Sequence, residues 1–198
     1  MGDSAVAWAK AIGKLVAGKF PARKLVIDCS EIRPAGTRLK GYGWISSGDE
    51  QIAKAFKAIA KILSNRSDQL LTRMDILDIV NWLGTILSSR RSAEIALFEY
   101  GKPEWEEFAL AKKEWWLKDN AHRQQSNNSL LFYSRPTRAE LEEVFQMILE
   151  SGGSEPGFIN AVEAERRAPW FKGCNPCVEI LLGNKSFCNL TEVNVLAF

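Results

Sequence analysis

The chain has 198 residues, of which 46% are hydrophobic, so it is long enough to fold around a core and is not expected to be disordered. Its 26 basic and 24 acidic side chains leave a net charge of +2, which excludes the strongly basic field typical of a nucleic-acid-binding protein. No apolar run reaches the length of about 18 residues that a membrane span needs, and residues 1–10 lack the pattern of a signal peptide, so a cytoplasmic protein is expected.

The first half of the chain predicts a helix, a strand, a long loop and two further helices. Residues 4–18 have apolar side chains at helical spacing and end at a glycine, whereas KLVIDCSEI (24–32) is typical of a strand. The segment RPAGTRLKGYGWISSGD (33–49) contains several glycines, so we expect a loop with positive φ angles or close backbone approaches. The next helices are predicted from a cap at Ser47 or Asp49 to about Ser64, and over 69–87.

The second half alternates between strands and helices. Strands are predicted in RRSAEIALFEY (90–100) and in NNSLLFYS (127–134). Helices are predicted over 103–118, with a proline in the first turn, and over 137–150, where Thr137 and Glu140 would form a capping box. This alternation indicates βαβ crossovers and a mainly parallel sheet.

Three of the four cysteines lie in FKGCNPCVEILLGNKSFCNL (171–190), and thiols of a cytoplasmic protein stay reduced unless they are catalytic. Cys174 and Cys177 form a C-x-x-C pair, a spacing found in zinc sites and in thioredoxin-like redox sites. The other possible zinc ligands are Cys29, Cys188 and His122, which do not have a usual ligand spacing. A thioredoxin-like pair opens a helix, whereas Pro176 and the following VEILL indicate a turn into extended chain. Cysteines buried as small apolar residues are a third alternative.

Polar and reactive groups surround this pair. Asn175, Cys177 and Glu179 place an amide, a thiol and a carboxylate on one short turn, and Cys188 follows Cys177 by eleven residues. Because Cys177 and Glu179 are two residues apart, they would face the same side of an extended chain. A thiol able to become a radical, a carboxylate able to take a proton and a second thiol able to supply an electron form a chemically coherent set.

NPCVEILL followed by FCNLTEVN resembles the finger-loop signature of ribonucleotide reductases, in particular the adenosylcobalamin-dependent class, whose pattern is close to N-P-C-x-E-I-x-L. Pro176 and the spacing of eleven favour this class over the one with a separate radical-generating subunit, whose signature resembles N-L-C-x-E-I. Four other segments resemble the family in family order, between about Leu25 and Val195. They are SEIRPAGTRLKGYGWISSG, RRSAEIALF, SNNSL and SEPGFIN.

The resemblance implies an α/β fold, namely part of a ten-stranded α/β barrel of the ribonucleotide reductase type with mainly parallel strands and crossover helices. The whole chain would be one segment of the catalytic barrel. Residues 1–24 would form an N-terminal helix, 25–170 the barrel strands and helices, and 171–190 the finger loop and the following strand.

The resemblance also implies a reaction. Homolysis of the cobalt–carbon bond of adenosylcobalamin would give a radical that converts Cys177 to a thiyl, which would take hydrogen from the 3′ carbon of ribose. Glu179 would accept the proton of the 3′ hydroxyl, and Asn175 would hydrogen-bond the ribose hydroxyls. Cys188 would be one half of the pair oxidised to a disulfide as the 2′ hydroxyl leaves as water.

The uncharged polar residues Ser126, Asn127, Asn128 and Ser129 would line the nucleotide site, although Asn and Ser before a strand are also common in turns. No metal bound by protein side chains is expected. His122 is predicted on the surface between a helix and a strand, and Arg90 and Arg91 are expected to be helix-end charges rather than phosphate ligands.

The chain also departs from the family pattern. Cys29 does not match the upstream redox cysteine and is expected in the core, Cys174 is expected to be nonessential, and Val178 and Ser154 stand where glycine is more usual. The family's later strands are not found, so we expect a fragment that is active only with complementary reductase segments, a ribonucleotide substrate and a thiol reductant such as thioredoxin. The alternatives are a noncatalytic assembly module derived from a reductase, and a small thiol-redox or zinc protein that uses Cys174 and Cys177.

Overall fold

The structure, a computed structural model, describes residues 1–18, 24–40, 45–86, 94–115, 117, 119–191 and 193–197. The chain divides into a first unit, Met1–Ala93 with Glu114–Gln125, and a second unit, Glu94–Lys113 with Ser126–Phe198. The predicted single barrel segment over 1–198 stays a prediction. Within the described ranges, no helix is both long and apolar enough to cross a lipid bilayer.

The first unit is mainly helical. Its helices are α1 (Ala5–Ala17), α2 (Glu50–Asn65), α3 (Arg73–Gly84) and a short 3₁₀ helix (Ala121–Gln125). The prediction of α1 is confirmed, because the Ser4 hydroxyl caps its first turn and Gly18 ends it in a left-handed conformation. Helix α2 buries Ile52 and Phe56 in the core of this unit, as its apolar stripe predicted. The prediction for α3 was too long, since a capping box of Thr72 and Asp75 sets its start.

The segments between α1 and α2 give one wrong and one confirmed prediction. Residues 24–32 do not form the predicted strand; Leu25 and Val26 are exposed there. The loop prediction is confirmed in the part that the structure describes, where Gly36 and Gly48 have φ angles of 85° and 75°. The other two glycines of the loop lie in 41–44, outside the described residues. The predicted helix-end residues Arg90 and Arg91 also lie outside the described residues.

A partly buried cluster of polar and charged side chains joins α3 to the 3₁₀ helix of the first unit. The side chain of His122 is only 7% exposed, so its predicted surface position is wrong. Its Nε2 lies 2.8 Å from Asp78 Oδ1, its ring stacks on Trp82, and Arg123 Nη2 donates to Asp78 Oδ2 at 2.8 Å. Burial opposes ionisation of Asp78, but the hydrogen bonds from Arg123 and His122 outweigh it and lower the pKa of Asp78 to about 2.

The second unit is built on a parallel sheet, which confirms the predicted mixed α/β class. Its strands are β1 (Glu94–Glu99), β2 (Ser126–Phe132) and β3 (Gly157–Asn160), with β2 in the centre. A second, antiparallel pair consists of β4 (Gly173–Cys174) and β5 (Leu181–Leu182). Since the described residues supply three parallel strands, the ten-stranded barrel stays a prediction.

Three helices accompany this sheet: α4 (Trp105–Ala109), α5 (Arg138–Ser151) and α6 (Ala161–Arg167). Helix α5 has the predicted capping box of Thr137 and Glu140 and ends at Gly152, which is left-handed. The predicted helix over 103–118 was wrong in extent. It is limited to α4, which follows Glu104, a residue with a positive φ angle of 76°, and ends with its C-cap at Leu110; a second positive φ angle, 56°, occurs at Glu114.

The two faces of the sheet have different partners, because successive side chains of a strand point to opposite sides. On one, the helix face, Phe98 of β1 stacks on Phe108 of α4, and Phe158 of β3 contacts Phe145 of α5. The other is the hairpin face, towards β4 and β5. On this face, Leu97, Ser129 and Gly157 lie in register with one another, and Asn127 lies in register with Ile95.

A close approach between β2 and β3 on the hairpin face predicts the effect of a substitution at Gly157. A Cβ atom at Gly157 would lie 2.7 Å from Ser129 Oγ, so Gly157→Ala should lower the free energy of unfolding by about 1–3 kcal/mol in chemical denaturation. The control is Gly13→Ala in α1, where a Cβ atom meets nothing within 4 Å. This substitution should raise the free energy of unfolding by about 0.5–1 kcal/mol. A Gly157→Ala variant as stable as the unchanged chain would contradict this interpretation of the strand contact.

Candidate active site

The candidate site is centred on the turn 175–180 between β4 and β5, which we call the cysteine turn. Asn175 closes this turn with three hydrogen bonds. Its N–H donates to the Ile180 carbonyl at 3.3 Å, its carbonyl accepts from Val178 N–H at 2.9 Å, and its side-chain Oδ1 accepts from Ile180 N–H at 3.0 Å. Because Asn175 is only 4% exposed, its first role is to hold the turn.

The cysteines of this segment have different environments. Cys177 is exposed on the turn, whereas Cys188 is half-buried with its sulfur 3.9 Å from Asn175 Nδ2. The side-chain amide of Asn175 therefore lies next to the sulfur of Cys188. Glu179 is exposed, two residues beyond Cys177.

Cys174 is buried in β4. Burial, and secondarily the negative charge of Glu179, raise the pKa of the Cys174 thiol. A raised pKa favours the protonated thiol, whereas thiol–disulfide exchange requires a thiolate, so the environment of Cys174 disfavours the thioredoxin-like alternative for the C-x-x-C pair. In the described ranges, no three His, Cys, Asp or Glu side chains are grouped to hold a metal ion.

The fourth cysteine, Cys29, belongs to the first unit. It packs against the hydrophobic cluster around Ile52 and Phe56, as expected for a core thiol. Burial is also the main cause that raises the pKa of its thiol.

The backbone of the cysteine turn is strained at Val178. Its φ angle is 70°, in the left-handed region that glycine occupies readily and a β-branched residue rarely does. The turn thus has the conformation that explains why glycine is more usual here in the resembling family. Val178 retains this conformation at a cost in free energy.

Two attachments hold the hairpin against β2. Asn127 Nδ2 donates a hydrogen bond to the Pro176 carbonyl at 2.9 Å, directly before Cys177. Further along the strand, Leu131 packs with Leu181 of β5 against a buried apolar cluster. The members of that cluster are Ala164, Ala168 and Phe171. Asn127 and Leu131 are four residues apart, so the attachments are separated by about 13 Å along β2.

The four predicted substrate-binding residues divide between the faces of the sheet. Ser126 and Asn128 lie on the helix face, where they are 2% and 3% exposed and the Ser126 hydroxyl donates to Asn128 Oδ1 at 2.8 Å. Asn127 and Ser129 alternate with them and lie on the hairpin face. The geometry therefore brings Asn127 to the cysteine turn, and gives Ser126 and Asn128 a buried contact with each other.

A charged pair fixes the start of β2. Lys112 Nζ donates to the Ser126 carbonyl and pairs with Glu155 Oε2 at 2.7 Å. Lys112 precedes β2 in sequence and Glu155 precedes β3. The lysine therefore links the first residue of β2 to the segment directly before β3. Periodicity could not predict this contact, since it depends on residues far apart in the chain.

Glu94, the first residue of β1, is a titratable group that sequence reasoning missed. It lies opposite Ser126 on the helix face, and its Oε2 atom is buried with no hydrogen-bond partner among the described residues. Burial raises the pKa of Glu94 to about 7. The motif RRSAEIALF gave no signal for this, because strand alternation does not indicate which polar side chain lacks a partner.

Val178→Gly tests the strain in the cysteine turn. Glycine adopts a positive φ angle without the penalty of about 1–2 kcal/mol, although its greater freedom in the unfolded state offsets part of that gain. We expect the free energy of unfolding to stay equal or rise by up to about 1 kcal/mol in urea denaturation. The control, Val162→Gly in α6, should lose about 0.5–1 kcal/mol, since its helical φ angle gives glycine no advantage. Equal losses at both positions would rule out strain at Val178.

Glu94→Gln tests the buried carboxyl group. Because the pKa is raised from 4.5 to about 7 in the folded state, the unfolded state releases the proton first, and the stability of the unchanged chain falls as pH rises between these values. The variant should therefore gain stability relative to the unchanged chain at pH 8, on the order of 1–3 kcal/mol, and much less at pH 4.5.

The control for this experiment is Glu99→Gln at the other end of β1, where the carboxylate pairs with Lys102 at the surface. This variant should show no gain in the free energy of unfolding at pH 8, because the Glu99 side chain is exposed and paired with Lys102. A gain for Glu94→Gln that is equal at both pH values would show that the carboxyl group is not destabilised by ionisation.

Comparison with curated proteins gives relatives named adenosylcobalamin-dependent ribonucleoside-triphosphate reductase. The chain is 34% identical over 212 residues to those of Lactobacillus gasseri and Lacticaseibacillus paracasei, covering 96% of this chain and 27% of each relative. The Lactobacillus leichmannii protein is 32% identical over 185 residues, which cover 86% of the chain and 24% of the relative. No protein-family model and no solved structure matches. The chain spans about a quarter of the length of these relatives, and as such a segment it belongs to the adenosylcobalamin-dependent (class II) ribonucleotide reductase family.

Proposed function

We propose that this chain supplies the thiol-bearing part of the catalytic barrel of a ribonucleotide reductase, which converts ribonucleotides to deoxyribonucleotides by thiyl-radical chemistry. The observation that carries the proposal is the hydrogen bond of 2.9 Å from Asn127 to the Pro176 carbonyl. It joins two segments, SNNSL and NPCVEILL, that are 49 residues apart and resemble two parts of one family site.

Cys177 is the residue that would start the reaction on ribose. Its exposed thiol fits adenosylcobalamin as the source of the radical, since a radical generated outside the chain can reach the sulfur. When bound, this cofactor supplies a carbon radical able to accept a hydrogen atom. The Cys177 thiol would give up its hydrogen atom, and the resulting thiyl would take the hydrogen atom from the ribose 3′ carbon.

Glu179 and Asn175 would act on the ribose hydroxyls. The Glu179 carboxylate is exposed two residues from Cys177, so it can meet a sugar that approaches the sulfur and accept the proton of the 3′ hydroxyl. Asn175 already uses Oδ1 to hold the turn. Only its Nδ2 group, next to Cys188, would be available to a ribose hydroxyl.

Cys188 would supply reducing equivalents. Together with a second thiol from the remaining reductase, it would release two electrons and two protons and become a disulfide. The 2′ hydroxyl would leave as water, and an external dithiol such as thioredoxin would reduce the disulfide. The contact between Cys188 Sγ and Asn175 Nδ2 supports this role, because it places the thiol beside the turn.

The proposal extends to substrate and partners. Ser129, on the hairpin face, would contact the nucleotide, and Asn127 on the same face would lie beside the site through its bond to the Pro176 carbonyl. Ser126 and Asn128 would keep β2 in place from the helix face. The relatives are named for ribonucleoside triphosphates, so we propose that class of substrate here. We further propose complementary reductase segments that complete the ten-stranded barrel, and a cytoplasmic location, where thiols stay reduced.

The test replaces the matching segment of the Lactobacillus gasseri relative by residues 1–198. Deoxyribonucleotide formation is measured with a ribonucleoside triphosphate, adenosylcobalamin and a dithiol. We expect product from the hybrid enzyme and none after Cys177→Ala, because alanine offers no hydrogen atom to the radical. Glu179→Gln should lower kcat by roughly 10²–10⁴, the usual contribution of a general base.

Cys174→Ala is the matched control, since this thiol is buried three residues from Cys177 and is given no chemistry. It should retain activity. A folded hybrid that binds adenosylcobalamin but forms no product would contradict the proposal and favour the noncatalytic assembly module. Equal loss of activity at Cys174 and Cys177 would instead favour a C-x-x-C redox pair.

A further inference from the structure

The Pro176–Cys177 peptide is held from outside its own turn by Asn127. We propose that Asn127 is a positioning residue, whose hydrogen bond sets the direction in which the Cys177 thiol points, and that this is its main role rather than direct ribose binding. The structural part of this inference concerns the turn alone. Its consequence for turnover rests on the proposed function.

The argument begins with the geometry of a peptide group. The carbonyl of Pro176, the N–H of Cys177 and the Cα of Cys177 lie in one plane. A hydrogen bond that fixes the direction of the carbonyl therefore also fixes the position of the Cys177 Cα atom. The other hydrogen bonds of the turn are made by Asn175, Val178 and Ile180, on either side of this peptide. These bonds close the turn around the Pro176–Cys177 peptide without touching its own carbonyl, and Asn127 restrains that carbonyl directly.

The strain at Val178 makes this restraint necessary. With a φ angle of 70°, Val178 would lose strain if the backbone rotated to a negative φ angle, and such a rotation would move Cys177 with it. Residues in strained conformations persist only when their surroundings determine them. The bond to Pro176 is one such determinant, directly before the reactive residue.

Asn127 is well placed to act as a fixed point. It belongs to the central strand, which pairs with β1 and β3 in parallel register. Its neighbours Ser126 and Asn128 are buried, and the Ser126 carbonyl is bonded by Lys112. A side chain that stands on a paired strand holds its position more precisely than one on a loop.

The test uses Asn127→Asp and Asn127→Ala in the 198-residue chain. Aspartate keeps the shape but removes the donor, and its charge repels the Pro176 carbonyl oxygen. Hydrogen exchange of the Val178 and Ile180 amides, measured by NMR, reports the turn, because both N–H groups donate to Asn175. Loss of one hydrogen bond should make these amides exchange roughly 3- to 10-fold faster.

The matched control is Asn184→Asp, which makes the same chemical change at an exposed position after β5. It should leave the exchange of both amides unchanged. Melting curves identify any variant that has lost its fold, and Asn127→Ala then provides the comparison without an added charge. Unchanged exchange at Val178 and Ile180 in folded Asn127 variants overturns the inference.

A kinetic measurement separates positioning from substrate binding. In the hybrid reductase, a positioning residue should lower kcat roughly tenfold or more with KM nearly unchanged, since a misplaced thiol slows chemistry without weakening binding. A raised KM with unchanged kcat would overturn the inference in favour of a ribose ligand. If the hybrid with Asn127 intact is inactive, the proposed function fails, while amide exchange still decides whether Asn127 holds the turn.

Discussion

The alternation of side chains along β2 is the constraint on which the candidate site depends. Because successive residues of a strand face opposite sides, the polar run from Ser126 to Ser129 cannot act as one surface. Half of it is buried on the helix face, where the Ser126 hydroxyl donates a hydrogen bond to Asn128. The other half faces the hairpin, where Asn127 donates a hydrogen bond to the peptide group directly before Cys177. The same strand thereby joins a structural core to a chemical site.

The hairpin itself combines rigidity and strain. The backbone groups and the side-chain oxygen of Asn175 form the hydrogen bonds that close the turn. The residue that the family resemblance predicts to bind the ribose hydroxyls therefore also has a structural role. Val178 has a backbone conformation that its side chain disfavours. Cys174 is buried and Cys177 is exposed, although they are three residues apart. One short segment thus contains a buried thiol and an exposed one.

The sequence predicted those features that local chemistry determines. The capping box of Thr137 and Glu140 and the end of α1 at Gly18 each depend on residues within a few positions of one another. The family resemblance added the finger-loop residues, and curated relatives confirmed the family. The individual roles of the finger-loop residues stay predictions.

Long-range contacts account for what the sequence could not predict. Residues 24–32 have the composition of a strand, but a strand also requires a partner, which periodicity cannot identify. The His122 side chain is largely covered and lies 2.8 Å from Asp78, a residue 44 positions away that also accepts hydrogen bonds from Arg123, and nothing in the local sequence indicates this. Glu94 similarly depends on burial by distant residues, so its raised pKa was not foreseeable from the motif around it.

The contact between Asn127 and Pro176 also constrains the order of folding. It spans 49 residues and joins a central strand to a hairpin that follows both of the strand's neighbours in sequence. Pairings between distant residues form late, since the loops between them must close first at a cost in entropy. Capture of the hairpin is therefore expected among the last steps, after β2 has been enclosed by β1 and β3. A nascent chain would acquire the geometry of the cysteine turn only after the sheet that supports it has formed.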